Sequence, residues 1–499
     1  MKNSILLSAM ALALFSSCDD EILNKQSEVS AQLELSARSN TKTKKGITFE
    51  NHSFTPNFLD VKQEFSNVKV TTLLSSEDVL EDSPEFVYGS MADGAGLLKN
   101  NDGTYSLINN IEADYSIARI TLDETFKPVH GEYILNAPAT AFTAQCSGSM
   151  ITPEEHGFGP LYLSGGEWGG SSKGVFVTDP NKAAADASSF EMLEAWGQWS
   201  TENAVVIGKN AYHGKTVAFI GDDHSNNSIP SGQLGMYVGD HGDLYSGQLY
   251  GLKVTDGNVT YEMDIKEGNS YPVEFVALNE TNIDLLDAEA KTKGVMGFSR
   301  LEDIDWRRGS AENNREIYFC VTGRKRDGLV GKGTIYGRVY KVVLNENDPT
   351  GSGTITCILD GDNLNGKAKA FHSPDNILVT EDNLYIQEDP NGYPDTLEKS
   401  HYAYMYQYNL NSKKLKVVLE CDQNKAASMG YGPTSSSWEI TGMIDISETI
   451  GVEKTFLLIT QNHGWEPADG SAFTDPTANP DLASSRKEGS MMYIIRGLK

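Results

Sequence analysis

The chain has 499 residues and carries 69 acidic against 41 basic side chains, which gives a formal net charge of −28. A surface this acidic repels nucleic acid and anionic lipid headgroups, so both are excluded as partners, whereas divalent cations are favoured. The chain is also too long for one ordinary hydrophobic core, which predicts a barrel or an array of repeats.

Residues 1–17 are predicted to be a lipoprotein signal peptide. Lys2 provides the positive start, and the apolar run Ile5–Phe15 is too short for a stable membrane span. Small residues then precede Cys18, the predicted lipidation site, and the acidic run Asp19–Glu21 resembles surface-export signals of bacterial lipoproteins. The protein is therefore expected to be exported to the outer membrane, on its periplasmic or its outer face. An ordinary secretory signal is the alternative.

Residues 18–45 are polar and poor in aromatic side chains, a composition that cannot form a core and predicts a flexible tether. Residues 46–499 are predicted to form the folded domain. No segment of that domain is apolar for long enough to cross a membrane, so the lipid on Cys18 is the only expected membrane contact. Cys320 and Cys357 lie within strand-like runs and are expected to be buried thiols.

One unit recurs six times along the domain: a strand, a polar loop that begins with acids or amides, and a second strand rich in aromatic residues. The units begin at Tyr105, Leu161, Val217, Ile317, Leu384 and Phe456. They predict an all-β, six-bladed propeller, with a two-sheet sandwich as the alternative. A longer interval around Val259–Lys293 is expected to hold an insertion. Helical patterning is confined to Asn181–Ala195 and Asn282–Lys291.

The first strand of each unit ends in polar residues, and these ends share one face of a propeller. The acids expected to converge there are Glu112, Glu167, Asp222, Asp223, Glu388 and Asp389. Crowded carboxylates repel one another unless a cation lies among them, and Ca²⁺ prefers carboxylate oxygens. The pattern therefore predicts a calcium site at one mouth of the channel, with a ring of solvated loop acids as the alternative.

A series of short motifs runs along the chain from Gly89 to Trp465. They are Gln145–Pro153, Leu163–Trp168, Gly197–Asn203, Gly221–Asp223, Phe298–Glu302, Ser373–Asn376, Leu384–Asp389, Glu439–Gly442 and Leu458–His463. Together they resemble the alkaline phosphatases of the PhoX type. Proteins of that family are six-bladed propellers that hydrolyse phosphate esters with a calcium–iron cluster.

The resemblance implies roles for individual residues. The implied metal ligands are Glu167, Glu202 and Glu302, the implied phosphate-holding residue is Arg300, and Asp375 with Asn376 would complete or orient the site. A guanidinium binds phosphate oxygens in bidentate fashion, and metal ions can activate an oxygen nucleophile and neutralise charge on phosphorus. No covalent serine or cysteine nucleophile is then needed, and the first four of these residues would form the catalytic set.

The chain also departs from the family pattern. Gly165 stands where the family has its iron-binding cysteine, Gly166 replaces the glutamate after it, and Ile111 replaces a histidine. Loss of the thiolate removes a soft ligand that would favour iron, so calcium is the expected cofactor rather than iron. Cys146 lies 19 residues before Gly165 and is interpreted as a buried structural thiol, with substitution for the missing ligand as the alternative.

The predicted function is metal-dependent hydrolysis of phosphate esters by an exported phosphatase, with a phosphorylated small molecule as substrate and a monomer as the expected state. A non-catalytic propeller that uses calcium for stability and binds a glycan or a protein is the alternative. Its sugar contacts would come from Trp168, Trp196, Trp199 and Trp465, although packing between blades is the favoured interpretation of these residues. A calcium-dependent lactonase, which needs no phosphate-binding arginine, is the third hypothesis.

Overall fold

The computed structural model describes residues 46–390, 401–483 and 486–498. The predicted signal peptide, the tether and the lipidated Cys18 lie outside the described residues. The polypeptide divides into two units, Met1–Ile47 and Thr48–Lys499, and the second of them contains the sheets. No helix among the described residues is long and apolar enough to span a membrane.

The described part of the chain is mostly β-structure. The strands are, in chain order, β1 (Leu59–Val61), β2 (Lys69–Ser75), β3 (Ala92–Lys99), β4 (Tyr105–Ile111), β5 (Ser116–Leu122), β6 (Pro128–Leu135), β7 (Thr143–Ile151), β8 (Leu161–Gly169), β9 (Gly174–Thr178), β10 (Thr201–Val206), β11 (Lys215–Asp222), β12 (Leu234–Asp240), β13 (Gln248–Val254), β14 (Ser270–Leu278), β15 (Leu301–Trp306), β16 (Glu316–Val321), β17 (Arg338–Val343), β18 (Gly353–Asp360), β19 (Pro374–Val379), β20 (Asn383–Glu388), β21 (Tyr404–Asn409), β22 (Leu415–Cys421), β23 (Glu439–Asp445), β24 (Thr455–Asn462) and β25 (Gly489–Arg496). The α-helices are α1 (Pro153–His156), α2 (Ile283–Lys293), α3 (Gln423–Ser428) and α4 (Ser447–Ile450).

The strands form antiparallel sheets, and within each sheet consecutive strands pair in turn. We call such a series of consecutive strands a run. The sheet orders are β3-β4-β5-β6, β7-β8-β9, β1-β22-β21-β20-β19 and β2-β25-β24-β23, together with a nine-stranded sheet. That large sheet consists of the run β10 to β14 and the run β15 to β18, which are joined where β14 pairs with β18. This topology confirms the predicted all-β, propeller-like fold.

The beginning and the end of the domain meet in the same sheets. Strand β2 pairs with β25 along its whole length, and β1 pairs with β22. Strands from the start of the domain thus complete sheets that are otherwise built from its end. The propeller-like arrangement is therefore closed by main-chain hydrogen bonds, which also cover strand edges that would otherwise be open to pairing with another chain.

Neighbouring runs bury their faces against each other. Tyr318 and Cys320 of β16, for example, belong to one buried cluster with Leu384 and Ile386 of β20. All eight residues of β24 are buried, as expected for a strand covered on both faces. Each large aliphatic side chain buried in this way contributes about 1.5–3 kcal/mol. Packing between sheets therefore fixes the positions of the strand ends that carry the polar residues.

The six strand pairs predicted from the sequence are confirmed. Those of the first unit are β4 and β5, and those of the last unit are β24 and β25. The helix predicted at Asn282–Lys291 is also confirmed as α2, which ends at Gly294 with a left-handed φ of 79°. Cys320 and Cys357 are buried free thiols, as predicted.

The helix predicted over Asn181–Ala195 is wrong. Only short 3₁₀ turns form there, at Ala184–Asp186 and Glu194–Trp196. The segment between them runs alongside β9 instead, because the amide of Val177 donates to Glu191 O and the amide of Leu193 donates to Val175 O. Pairing with an exposed strand edge thus prevails over the local helical preference of an alanine-rich segment.

Candidate metal centre

The first strand of five runs carries a β-bulge close to its start. The pairing register slips between Ala92 and Ala95 in β3, Gln145 and Gly148 in β7, Thr201 and Ala204 in β10, Leu301 and Ile304 in β15, and Pro374 and Ile377 in β19. In each case two residues face one on the partner strand. A bulge bends the strand and re-aims its side chains, and bulges are frequent beside active sites.

The first residue inside each bulge bears a side chain that can bind a metal ion. These residues are Asp93, Cys146, Glu202, Glu302 and Asp375. A second set comes from the ends of the neighbouring strands and from the start of β23: Glu112, Glu167, Asp223, Asp389, Glu439 and His463. We call the two sets together the acidic centre.

Ligand atoms of the acidic centre approach one another within 4.8 Å in four groups. The groups are Asp93 with Glu112 and Cys146; Cys146 with Glu167 and Glu202; Glu202 with Glu302 and Asp375; and Asp389 with Glu439 and His463. Because Cys146 and Glu202 each belong to two groups, the first three groups form one continuous series of donors. The fold therefore brings together acids that are far apart in the sequence.

Hydrogen bonds hold several of these side chains in place. The Cys146 thiol lies 3.0 Å from Glu167 Oε2, and the amide of Ser147 donates to Glu202 Oε1 over 3.2 Å. Glu112 accepts hydrogen bonds from Trp168 Nε1 at 2.6 Å and from Gln461 Nε2 at 2.9 Å. These bonds leave lone pairs on the carboxylate oxygens, so the groups can still coordinate an ion.

Arg300 reaches the acidic centre from just before β15. Its Nη2 lies 2.8 Å from Asp223 Oδ2 and 2.9 Å from Glu302 Oε1. Its φ of 67° lies in the left-handed region, which is unusual for a residue with a side chain and occurs most often at functional sites. A depression beside it is also lined by Arg324 and His224. Two guanidinium groups thus line a depression beside the acidic centre.

Burial and mutual repulsion raise the pKa values of six acids of the acidic centre. Burial, and then the charge of Asp223, raises the pKa of Glu167 well above its usual value, and burial followed by the charge of Glu167 does the same for Glu202. Burial also raises the pKa of Glu302, although Arg300 opposes this. The pKa values of Asp93, Asp375 and Glu439 rise from burial first and neighbouring carboxylates second. Such a cluster needs protons or cations to be stable.

The donor set fits hard cations. Carboxylate oxygens are the preferred ligands of Ca²⁺. Glu439 is 8% exposed, and no hydrogen bond or ion pair reaches its carboxylate from the described residues. Asn376 is also buried, and its Oδ1 atom has no hydrogen-bond partner in the described part of the chain. Buried oxygens without donors are what a cation would satisfy, and the Cys146 thiol adds one soft donor.

Four predicted metal ligands lie outside the four groups, namely Asp222, Asp223, Asn376 and Glu388. Asp222 Oδ1 accepts a hydrogen bond from the Ser200 amide at 3.0 Å, whereas its neighbour Asp223 contacts Arg300. Asn376 occupies the second position of its bulge, and its Nδ2 donates to Ser147 Oγ at 2.8 Å. Asp222 and Asn376 support the ligands around them rather than joining the four groups.

Glu388 points away from the acidic centre and is held by four donors. Its Oε1 accepts from the His372 amide at 2.7 Å and the Tyr406 hydroxyl at 2.9 Å. Its Oε2 accepts from the Tyr404 amide at 3.0 Å and lies 2.9 Å from His401 Nε2. A carboxylate with this many donors has a structural role, and it is not among the grouped ligands.

Glu388→Gln is therefore expected to lower the free energy of unfolding by about 1–3 kcal/mol without changing metal content. The amide nitrogen of glutamine cannot accept a hydrogen bond, so it would face donors that lose their acceptor. Urea unfolding and elemental analysis of the same preparation measure both quantities. Loss of bound metal with unchanged stability would show instead that Glu388 is a ligand.

Four residues of the acidic centre were not predicted as ligands: Asp93, Cys146, Glu439 and His463. A signal for the acids does exist. Asp93, Glu202, Glu302 and Asp375 are each the second residue of their strand, one strand before a predicted unit. His463 Nδ1 lies 3.1 Å from Glu488 Oε2, and such a carboxylate commonly orients a metal-binding histidine.

The tryptophans do not form a sugar-binding surface. Trp196, Trp199 and Trp465 are buried, which agrees with packing between blades and not with the alternative that they contact a glycan. Trp168 is partly exposed, and its indole instead donates to Glu112. Their apolar area is used in packing between strands.

Comparisons with known proteins concern the family and the fold. The family model described as "Alkaline phosphatase PhoX" matches residues 175–462. Among solved structures, Pseudomonas fluorescens PhoX in complex with vanadate, a transition state analogue, superposes with a TM-score of 0.61 at 13% identity, covering 90% of this chain and 98% of that one. At that identity the likeness concerns the fold alone.

Other solved structures are more distant. The PQQ-bound aldose sugar dehydrogenase of Streptomyces coelicolor gives a TM-score of 0.37 at 10% identity, covering 86% of this chain and 98% of that one. The calcium-binding protein regucalcin of Agrobacterium tumefaciens gives 0.38 at 10% identity, covering 82% and 92%. Among curated protein sequences, none matches this chain.

Proposed function

We propose that this chain, which belongs to the PhoX family of alkaline phosphatases, hydrolyses phosphate esters at the acidic centre with the help of bound metal ions. The observation that carries the proposal is the position of Arg300, whose guanidinium is held by Asp223 and Glu302 at the edge of a buried set of carboxylates. A fixed guanidinium beside metal ligands is suited to a phosphate group.

Each group has a task in this proposal. Glu167, Glu202 and Glu302 would hold the cations, which when bound supply Lewis-acid stabilisation of charge on the phosphoryl oxygens. Arg300 binds two phosphate oxygens and orients the ester, while Asp223 fixes the plane of the guanidinium. Burial of the site keeps bulk water away from the cations and the guanidinium, which would strengthen their attraction to the negative charge of the transition state.

The finer points of architecture belong to the same proposal. We propose that the runs β10 to β14 and β15 to β18 are two separate blades, which gives six blades in all. Their junction supports this, because β14 and β18 pair over only four residues, whereas β14 pairs with β13, and β18 with β17, over six. Export as a lipoprotein through Cys18, and a monomeric state, complete the proposal.

The test combines metal analysis with activity. Purified full-length protein is analysed for metals, and phosphomonoester turnover is measured before and after chelation and with vanadate. Turnover that chelators abolish, calcium restores and vanadate inhibits supports the proposal. Absence of turnover with every metal tested, or turnover that resists chelators, contradicts it.

A second candidate is a calcium-stabilised propeller without catalytic activity. The observation that favours it is Gly165, where the family has a metal-binding cysteine and where this backbone has no room for a side chain. In that case the same experiment gives bound calcium, a calcium-dependent stability and no turnover.

A further inference from the structure

We propose that Cys146 binds a transition-metal ion together with Glu167 and Glu202, and so supplies the soft ligand that the chain lacks at Gly165. This inference rests on the proposed function in one respect only, namely that the acidic centre binds metal ions.

The position of Gly165 excludes a side chain. A Cβ atom built there would lie 2.1 Å from Glu202 O and 2.4 Å from Thr201 O, and both of these atoms belong to the backbone of β10. Atoms so close cannot be relieved by rotating a side chain. Strand β8 can therefore approach β10 only with glycine at this position, and a thiolate ligand must come from elsewhere.

Cys146 occupies the position that ligand acids hold in the other runs. In β10 the bulge between Thr201 and Ala204 begins with Glu202, and in β7 the bulge between Gln145 and Gly148 begins with Cys146. The equivalent residues of β3, β15 and β19 are Asp93, Glu302 and Asp375. A bulge directs its first side chain toward the centre in each case. The thiol is thus placed as the fifth member of a set of ligands.

The contacts of the thiol agree with this position. Cys146 is 2% exposed, and its Sγ lies within 4.8 Å of carboxylate oxygens of Glu167 and Glu202, with Glu167 Oε2 at 3.0 Å. Carboxylate oxygens of Asp93 and Glu112 also lie within 4.8 Å of the Sγ atom. A thiol that served only for packing would lie among apolar side chains, as Cys357 does in the core shared by β16, β17 and β18.

The chemistry of sulfur determines which ion binds. Thiolates select transition metals such as iron or zinc, whereas calcium takes oxygen ligands. The site with Cys146, Glu167 and Glu202 is therefore selective for a transition metal, while the site with Glu202, Glu302 and Asp375 contains oxygen ligands alone. Glu202 would then lie between two ions of different kinds.

The experiment compares wild-type protein with Cys146→Ser, Cys146→Asp and the control Cys357→Ala. Each full-length protein is loaded with iron and calcium, and bound metals and the visible absorption spectrum are recorded. Wild type and Cys357→Ala should show a thiolate-to-iron charge-transfer band. Cys146→Ser should lose that band and keep its bound calcium. It should also bind iron more than about 100-fold more weakly, a larger loss than the removal of a residue that only orients a metal ligand would cause.

Cys146→Asp recreates the acid found in the other bulges. This variant should bind additional calcium in place of the transition metal. Its circular dichroism spectrum should match that of the wild type, which shows that the fold is unchanged. Iron binding with an unchanged band in Cys146→Ser overturns the inference. Wild type that binds no iron but hydrolyses phosphate esters with calcium also overturns it and leaves the proposed function intact. A Cys146-dependent band without turnover supports the inference and contradicts the proposed function.

Discussion

Replacing Arg300 by glycine is expected to lower kcat/KM for phosphate esters by about 10³-fold while the protein stays folded. The variant removes a guanidinium that lies 2.8 Å from Asp223 and 2.9 Å from Glu302 and that we assign to the phosphate. Folding should survive because φ at this position is 67°, a conformation that glycine adopts without strain. Steady-state kinetics with a phosphomonoester measures the effect.

Two further variants separate charge from geometry. Arg300→Lys keeps the charge but lacks the planar fork that grips two oxygens, so we expect it to recover only part of the lost activity. Arg307→Gln removes an arginine that is paired with Glu316 at 3.2 Å, outside the acidic centre, and should leave kcat/KM unchanged. Full activity in Arg300→Gly would show that the phosphate binds elsewhere, while retained hydrolysis of a lactone would favour the lactonase hypothesis.

The strand units could be predicted because their signal is local. In strands such as β4 and β24, β-branched, aromatic and other apolar residues lie between turn-forming residues. The tertiary structure keeps these segments in the strand conformation that their local sequence favours. The helix prediction for Asn181–Ala195 was wrong for the opposite reason. Its alanines favour a helix locally, but the free edge of β9 pairs with it, and this long-range contact leaves no local trace.

The site likewise contains residues that a local sequence signal identifies and residues that it does not. Acids that follow a predicted strand, such as Glu112 and Glu167, were identified because the strand end locates them. For the adjacent acids Glu388 and Asp389, the sequence does not show which side chain faces the site, since successive side chains of a strand point to opposite sides. The structure directs Asp389 toward the acidic centre and Glu388 away from it.

Asp93 was missed, and Cys146 was interpreted as a structural thiol, for a different reason. Both lie in β-bulges, and a bulge shifts the side-chain alternation by one residue without a distinctive sequence. Glu202, which lies in the same kind of bulge, was identified only through the family resemblance. An acid at the second position of the strand before a unit is a pattern that includes Asp93 but not the cysteine.

Raising the pH of the metal-free protein from about 5 to about 8 is expected to lower its free energy of unfolding by more than about 3 kcal/mol. Burial first, and neighbouring carboxylates second, raise the pKa values of Glu202, Asp375 and Glu439 in the folded state. The unfolded chain releases these protons once the pH exceeds about 4. Since the unfolded state then binds fewer protons, stability falls as the pH rises through this window.

Calcium is expected to remove most of this pH dependence, because cations replace the protons that the carboxylates would otherwise keep. Urea unfolding over a pH series, with chelator and with calcium, measures both slopes. Glu439→Gln should flatten the slope in chelator, whereas Glu274→Gln, an exposed acid paired with Lys253, should not. Stability that rises with pH in chelator would mean that the carboxylates are already compensated within the protein. A negative slope that calcium abolishes would instead show that alkaline conditions, under which such a phosphatase would work, are tolerated only because the ions are bound.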